Sequence, residues 1–259
     1  MENIGPLLPL LGVAAFFAGL VDAVVGGGGL IQIPTLFSAF PSAMPATLFG
    51  TNKLASIVGT ASAAVQYARR VAIPWSIAFP GAVAALAGSW FGARAVAYLS
   101  PEVLKPLVFV LLVLVAVYTF ARKDFGVGED GGHDGPRAQA IVVAIGGVVG
   151  FYDGFFGPGT GSFLIFLLIR FLHMDFLRAS VTAKILNVAT NIAAIAFFAF
   201  NVELLWMVAV VMASCNLAGA LVGSRLALRH GATFVRKMFL GIVCVLIGKM
   251  AYDLVVHMR

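Results

Sequence analysis

Apolar runs long enough to cross a lipid bilayer follow one another through this chain, and no other feature constrains its fold so strongly. Every residue from Leu107 to Val117 is apolar. Comparable stretches lie at about 7–25, 47–67, 74–97, 103–121, 139–156, 179–200, 203–224 and 236–256. A helix needs about 20 predominantly apolar residues to span the hydrocarbon. Composition agrees, since 61% of the 259 residues are hydrophobic and 11% charged, whereas ordinary soluble domains approach a quarter charged. Strands of a membrane barrel would alternate polar and apolar positions, and these runs do not. The expected class is an all-α integral membrane protein.

The net charge of +6 would suggest nucleic acid in a soluble chain. Here most basic residues fall between apolar runs, where they act as topology signals, so the lipid bilayer and not nucleic acid is the expected partner. Cys215 and Cys244 lie inside apolar runs without Cys or His at metal-ligand spacing, so neither a disulfide, a metal site nor another cofactor is expected. The stretch Met1, Glu2, Asn3 lacks the positive charge of a cleaved leader, and the run through Val25 is expected to remain as the first membrane segment.

Residues 122–138 form a polar linker, with Gly126, Gly128, Gly131, Gly132, Gly135 and Pro136 among seven charged residues, the composition of a solvated loop. It separates residues 1–121 from 139–259, and the two parts are copies at an offset of 131. Gly19, Asp22, Gly26 and Gly28 match Gly150, Asp153, Gly157 and Gly159. Thr51, Lys53 and Trp75 match Thr182, Lys184 and Trp206, while Gly88, Gly92 and Arg94 match Gly219, Gly223 and Arg225. A Trp, an Asp, a Lys and an Arg agreeing at one offset indicate duplication. Each copy has about five segments.

The basic residues also bear on orientation. If short segments 30–40 and 161–172 each return the chain to the side where the preceding segment began, Arg69, Arg70, Arg122, Lys123, Arg137, Arg170, Arg178, Arg225, Arg229, Arg236 and Lys237 share one face. Arg94, Lys105 and Arg259 lie on the other, a split of 11 against 3. Counting each first pair of segments as one crossing gives 8 against 6, hardly a bias. The positive-inside rule therefore favours inverted repeats with both termini outside.

Segments of about eleven residues reach half the hydrocarbon thickness, so they must be broken or re-entrant. Each follows a glycine-rich loop, Gly26 to Gly29 in one copy and Gly157 to Gly161, with Pro158 and Thr160 interposed, in the other. Irregular backbone at membrane depth is tolerated inside protein or beside a cavity, and free N–H groups at the helix starts suit an anion. Gly27, Gly28, Gly159 and Thr160 are candidate binding positions on that ground, although close packing alone also accounts for such glycines. Gly88 with Gly92, and Gly219 with Gly223, have packing-motif spacing.

Asp22, Lys53, Asp153 and Lys184 most need a reason, because an ionisable side chain at the bilayer centre costs about 2.5–3.5 kcal/mol even on the lenient scale. Around the lysines stand Thr51, Asn52 and Ser56 in one copy and Thr182, Asn187 and Asn191 in the other, side chains able to donate hydrogen bonds to an oxyanion. One reading pairs Asp22 with Lys53 and Asp153 with Lys184 as buried salt bridges. A second makes the lysines anion ligands and the aspartates proton-coupling groups that compete for them. A straight first helix would place Asp22 about 13 Å deeper than Lys53, so that pairing needs a tilted or broken helix. Lys249 and Asp253, four apart, are expected to pair locally.

The stretches GLVDAVVGGGGLIQIP from Gly19 to Pro34, Ala46-Thr47 with Gly50-Thr51-Asn52-Lys53, and above all GFYDGFFGPGTGSF from Gly150 to Phe163 resemble the sulfite exporter TauE/SafE family, also called toluenesulfonate uptake permeases. The resemblance covers nearly the whole chain and is nearest to a widespread bacterial branch. It implies an inner-membrane carrier of small organosulfur or related anions. Composition and spacing by themselves give an anion-compatible carrier with two inverted halves, a midplane site and alternating access, and leave a homodimer open.

Other classes fit less of the pattern. Tyr152-Asp153 resembles the Tyr-Asp of intramembrane aspartyl proteases, and Asp22 offers a second carboxylate for a dyad, but no Gly-x-Gly-Asp is present. An anion channel differs from a carrier in turnover. No Gly-x-x-x-x-Gly-Lys loop is present, so ATP is not the expected driving force. An enzyme is not expected.

Overall fold

In the computed structural model, residues 5–100, 102–104, 107, 108, 110, 111, 114 and 135–229 are described. Proline and glycine set the boundaries of their helices. A 3-10 turn, Gly5–Leu7, leads into α1, Leu8–Val25, which ends on Gly26 in a left-handed conformation with φ 80°. Glycine adopts that conformation without steric penalty. Helix α2, Gly29–Ala39, follows at once. Pro45 opens α3, Pro45–Ala68, and α4 is Trp75–Ala97. Further helical residues lie between 102 and 114.

The second set begins with α5, Pro136–Phe155. Its first residues belong to the stretch expected as linker, because Pro136 has the fixed φ that suits the first helical position. Gly159, with φ 81°, precedes α6, Thr160–Leu172. Helix α7, Phe176–Asn201, is capped by the Asp175 side chain, which accepts from the Leu177 and Arg178 amides. Helix α8 is Trp206–Arg229. Among the described residues all the regular structure is helical.

Among the described residues, five helical stretches are long and apolar enough to cross a membrane: Gly5–Val25, Trp75–Ala97, Pro136–Phe155, Phe176–Asn201 and Trp206–Arg229. This is an all-α membrane protein. Outward side chains such as Phe79, Val148 and Met207 are 67%, 73% and 68% exposed, a surface suited to lipid. The expected segments 30–40 and 161–172 correspond to α2, with 11 residues, and α6, with 13; at 1.5 Å per residue they rise about 16 and 20 Å, short of a span. Segment 236–256 and the Lys249–Asp253 pair lie outside the described residues, as does much of 103–121.

Helix α3 differs from its expectation as an apolar segment. Its 24 residues suffice for a crossing, but Thr51, Asn52, Lys53 and Thr60 make it polar. All four are buried in protein, where intramembrane polar residues are expected to face.

Close backbone packing holds the helices together. A methyl group added at Gly88 or Gly92 of α4 would meet the carbonyl oxygens of Gly147 and Phe151 on α5, and one at Gly219 or Gly223 of α8 would meet those of Phe16 and Leu20 on α1. Gly88 and Gly219 are 131 residues apart, as are Phe16 and Gly147; the same offset links Gly92 to Gly223 and Leu20 to Phe151. Each copy's fourth helix therefore packs on the other copy's first helix. Partner exchange of this kind is what two units related by a two-fold rotation produce, with the axis along or across the membrane normal.

Candidate functional site

The two glycine loops meet inside the bundle. Gly26 and Gly161 touch backbone to backbone, leaving no room for a side chain on either. Ser162 secures the crossing from the second loop by donating its amide to the Gly26 carbonyl at 3.3 Å and its hydroxyl to the Val25 carbonyl at 2.6 Å. Tyr152 donates to the Pro158 carbonyl at 2.6 Å and Thr160 to the Gly157 carbonyl at 2.7 Å. Because the loops cross, each aspartate just before its loop lies beside the long polar helix of the opposite copy.

That geometry decides the ion pairing. Lys53 Nζ of α3 reaches Asp153 Oδ2 of α5 at 2.6 Å, with the side chains 4% and 2% exposed. At that distance the ammonium and the carboxylate form a buried ion pair. Gly157, at φ 98°, lies against this pair, and a Cβ there would approach Lys53 Nζ to 3.1 Å. The expected pairing of Asp22 with Lys53 and of Asp153 with Lys184 is corrected: the crossing loops bring α5 beside α3, so Asp153 takes Lys53 of the opposite copy, while the Asp22 carboxylate is bonded within its own copy and Lys184 takes only its backbone carbonyl.

The second cluster is not an ion pair. Lys184 Nζ of α7 donates to the backbone carbonyl of Asp22 at 2.7 Å and lies 5.8 Å from the centre of the Tyr67 ring, within cation–π range. The Asp22 carboxylate instead accepts from the Thr60 hydroxyl at 3.1 Å. Among the described residues no carboxylate lies within 4.0 Å of Lys184, which is 3% exposed. Asp22 and Asp153 thus have separate partners, unlike the two carboxylates of an aspartyl-protease dyad.

The other sequence candidates divide by what their polar atoms already do. Thr51 donates to the Thr47 carbonyl and accepts the Leu205 amide, tying α3 to the start of α8. Asn191 donates to both the backbone carbonyl and the side-chain oxygen of Asn187, and Thr160 is committed to its own loop. Gly27 and Gly28 are buried beside α1, where a Cβ on Gly28 would press on Asp22. Gly159 caps α6. By contrast, Asn52 Oδ1 and Thr182 Oγ1 are buried without a hydrogen-bond partner, a condition that leaves them available to a ligand.

Sequence reasoning missed Gln32. This lone glutamine of α2 is fully buried, its Oε1 accepting from Ser56 at 2.8 Å and its Nε2 unpartnered. Its signal was present, since a single amide inside GLIQIP has no partner within its own helix. Thr60, which donates to the Asp22 carboxylate, and Tyr67, which donates to the Ala23 carbonyl and sets its ring beside Lys184, were missed too.

The family model described as sulfite exporter TauE/SafE matches residues 11–250. The chain belongs to the sulfite exporter TauE/SafE family. Within curated proteins, it is 35% identical over 232 residues to a probable membrane transporter protein, ORF9, of Sinorhizobium sp, covering 90% of this chain and 87% of that one. It is 33% identical over 247 residues to the probable membrane transporter protein YfcA of Escherichia coli strain K12, covering 95% and 90%. A probable membrane transporter protein of Haemophilus influenzae is 31% identical over 253 residues, covering 95% of both. No solved structure matches significantly. With membership in the TauE/SafE family and five stretches suited to spanning, this is a multi-pass membrane transporter.

Proposed function

We propose that the chain is a secondary carrier of small anions, organosulfur compounds such as sulfite or sulfonates foremost, working by alternating access in a bacterial inner membrane. The observation that carries this reading is Lys184, a buried ammonium held by a backbone carbonyl and an aromatic face, with no described carboxylate within 4.0 Å and the Asp22 carboxylate acting on it only from beyond ion-pair distance. A buried cation without a counter-charge in direct contact is expensive, and an anionic substrate lowers that expense when it binds. Thr182 of the same helix, with Asn52 of α3 and Gln32 of α2, adds buried polar atoms without hydrogen-bond partners. The family description adds the organosulfur class.

The exchanged packing of the two copies supports a two-fold relation between them, and the 11 to 3 basic split favours the axis in the membrane plane. Rocking of one copy against the other would then expose the crossing loops to either side. Lys53 enters the cycle through Asp153: a proton on that carboxylate releases the ammonium for the anion, and its loss restores the ion pair. Asp22 acts more indirectly, through Thr60 and the carbonyl that holds Lys184. The function is transport and not catalysis.

The test is thermal stabilisation of the purified full-length protein by sulfite, thiosulfate, toluenesulfonate and acetate, each against potassium chloride at equal ionic strength, because a ligand that binds only the folded state raises its stability. The sulfur oxyanions are expected to raise the midpoint clearly more in wild type than in Lys184→Ala. Equal stabilisation of both proteins would remove the basis of the reading.

A further inference from the structure

A half-open cleft of about 700 Å³ lies at the end of α3 and α8, away from the crossing loops, lined by Gln66, Arg69, Arg70, Arg225 and Arg229 with an apolar wall that includes Leu177 and Leu221. Arg69 and Arg70 follow the last turn of α3, whereas Arg225 and Arg229 belong to the last turns of α8, so four cations distant in sequence face one space. None of the four makes an ion pair with a described carboxylate. Asp175, two residues before Leu177, is already occupied by the Leu177 and Arg178 amides and lies 3.7 Å from Arg178 Nε. Gln66 Nε2 is buried and has no hydrogen-bond partner.

We infer that this cleft is a second anion site, built for a tetrahedral oxyanion group such as phosphate, sulfate or sulfonate. Guanidinium groups present planar forks of N–H donors that match such oxygens two at a time, and four of them exceed what a monovalent halide needs. The apolar wall gives an organic or acyl portion a place to lie. The same group could arrive on a soluble anion or on an anionic lipid headgroup, and the chemistry of the cleft is common to both.

Comparison of the two copies places the cluster at one end of the molecule, as the positive-inside rule expects of inverted copies. At an offset of 131, the positions matching Gln66, Arg69, Arg70 and Arg229 hold Phe197, Phe200, Asn201 and Tyr98, and only Arg225 has a basic counterpart, Arg94. One end of the molecule therefore carries a gathered cation cluster that the duplicated end lacks. The positive-inside rule accounts for how many basic residues flank the helices, but not for four converging on one cleft with an unpartnered amide. Gln66 adjoins Tyr67, whose fully buried ring lies 5.8 Å from Lys184 Nζ and does not line the cleft. The site stands apart from the buried lysines and does not depend on their binding an anion.

The experiment uses the full chain in detergent and reads thermal midpoints against sulfate, inorganic phosphate and dioctanoyl phosphatidylglycerol, with potassium chloride matched for ionic strength. Stabilisation above chloride is expected in wild type and in Lys184→Ala. In R69Q/R70Q and in R225Q/R229Q, apparent affinity is expected to fall about tenfold or more, the loss that removing charge-assisted hydrogen bonds brings. The corresponding Arg→Lys pairs should recover a part of it, which separates charge from folding. A response to sulfate or phosphate assigns the site to soluble anions, and a response to the lipid alone assigns it to headgroups; either supports the inference. Absence of stabilisation by every probe overturns it. So does a response that survives both arginine pairs, and one lost in Lys184→Ala but kept in the arginine variants belongs to the buried lysine.

Discussion

Lys53 in the first copy is tied to Asp153 in the second at 2.6 Å, across the crossing point of the two glycine loops. The bond joins the polar helix of one copy to the helix that leads into the other copy's loop, so the ion pair is also a fastener between the parts that alternating access would move. Lys184, at the matching position, holds only a carbonyl of the opposite copy. The two lysines are copies in sequence and unequal in chemistry, one in direct contact with a carboxylate and one, among the described residues, without such a contact.

Breaking the ion pair on one side is expected to destabilise the protein strongly. Removing one member of a buried pair leaves an uncompensated charge and costs on the order of 3–5 kcal/mol, while replacing both by apolar groups is often neutral. Lys53→Met should therefore lower the unfolding free energy, and Lys53→Met with Asp153→Leu should recover most of the loss. Denaturant unfolding in detergent checks this, and a double variant no more stable than the single would show that the pair is not a unit.

The glycine contacts make a second prediction with a built-in control. Gly88→Ala and Gly219→Ala put a methyl group against the Gly147 and Phe16 carbonyls, whereas Gly147→Ala meets nothing within 4 Å. Overpacking typically costs about 1–3 kcal/mol, so the first two should melt well below wild type and the third close to it. Similar midpoints for all three variants would contradict the close approach of α4 to α5 and of α8 to α1.

Much of this architecture was legible in the residues and the rest was not, for physical reasons. The half-length segments announced themselves because glycine and proline punctuate apolar sequence: 30–40 and 161–172 are Gly29–Ala39 and Thr160–Leu172. Duplication was legible because an Asp, a Lys and a Trp at one offset are improbable in apolar sequence. Pairing was not, since spacing along one copy says nothing about which copy's helix stands beside Asp22. Nor does residue type reveal that the Thr51 hydroxyl is occupied by its own helix and the Leu205 amide while that of Thr182 is open.

The unequal lysines predict unequal binding defects. Lys184→Ala is expected to weaken sulfur-oxyanion affinity by about tenfold or more, as loss of a hydrogen bond to a charged group does. Thr182→Val should weaken it less and leave folding nearly intact, because it removes an unpartnered buried hydroxyl, whereas Gln32→Leu should weaken it less but cost about 1–3 kcal/mol of stability, because the Ser56 hydroxyl loses its acceptor. Isothermal calorimetry on the three purified variants measures this. Full affinity in Lys184→Ala would place the anion elsewhere.

Orientation has its own test. The basic split expects both termini on the periplasmic side and the stretch around Gly131 on the cytoplasmic side. In intact cells, a cysteine introduced at Gly131 or at Val71 should resist a membrane-impermeant maleimide until the membrane is opened, while one at Tyr98 should react at once. Labelling of Gly131→Cys in intact cells would reverse the assignment and with it the side that the arginine cleft faces.

The final prediction concerns protons and follows from the asymmetry between Asp153 and Asp22. Protonating Asp153 removes the charge that holds Lys53, so falling pH should free the ammonium and strengthen anion binding, and rising pH should rebuild the pair and weaken it. Asp153→Asn holds the side chain neutral at every pH, so binding should persist with most of that pH dependence gone. Asp22→Asn should alter it less, because Lys184 grips the backbone carbonyl of Asp22, which the substitution leaves in place, and Thr60 still finds an oxygen to donate to. Affinity and proteoliposome flux across a pH series, for wild type and both variants, separate these outcomes. If Asp153→Asn keeps the wild-type pH profile in both measurements, the Lys53–Asp153 pair is a structural fastener alone, and any coupling to protons runs through another group.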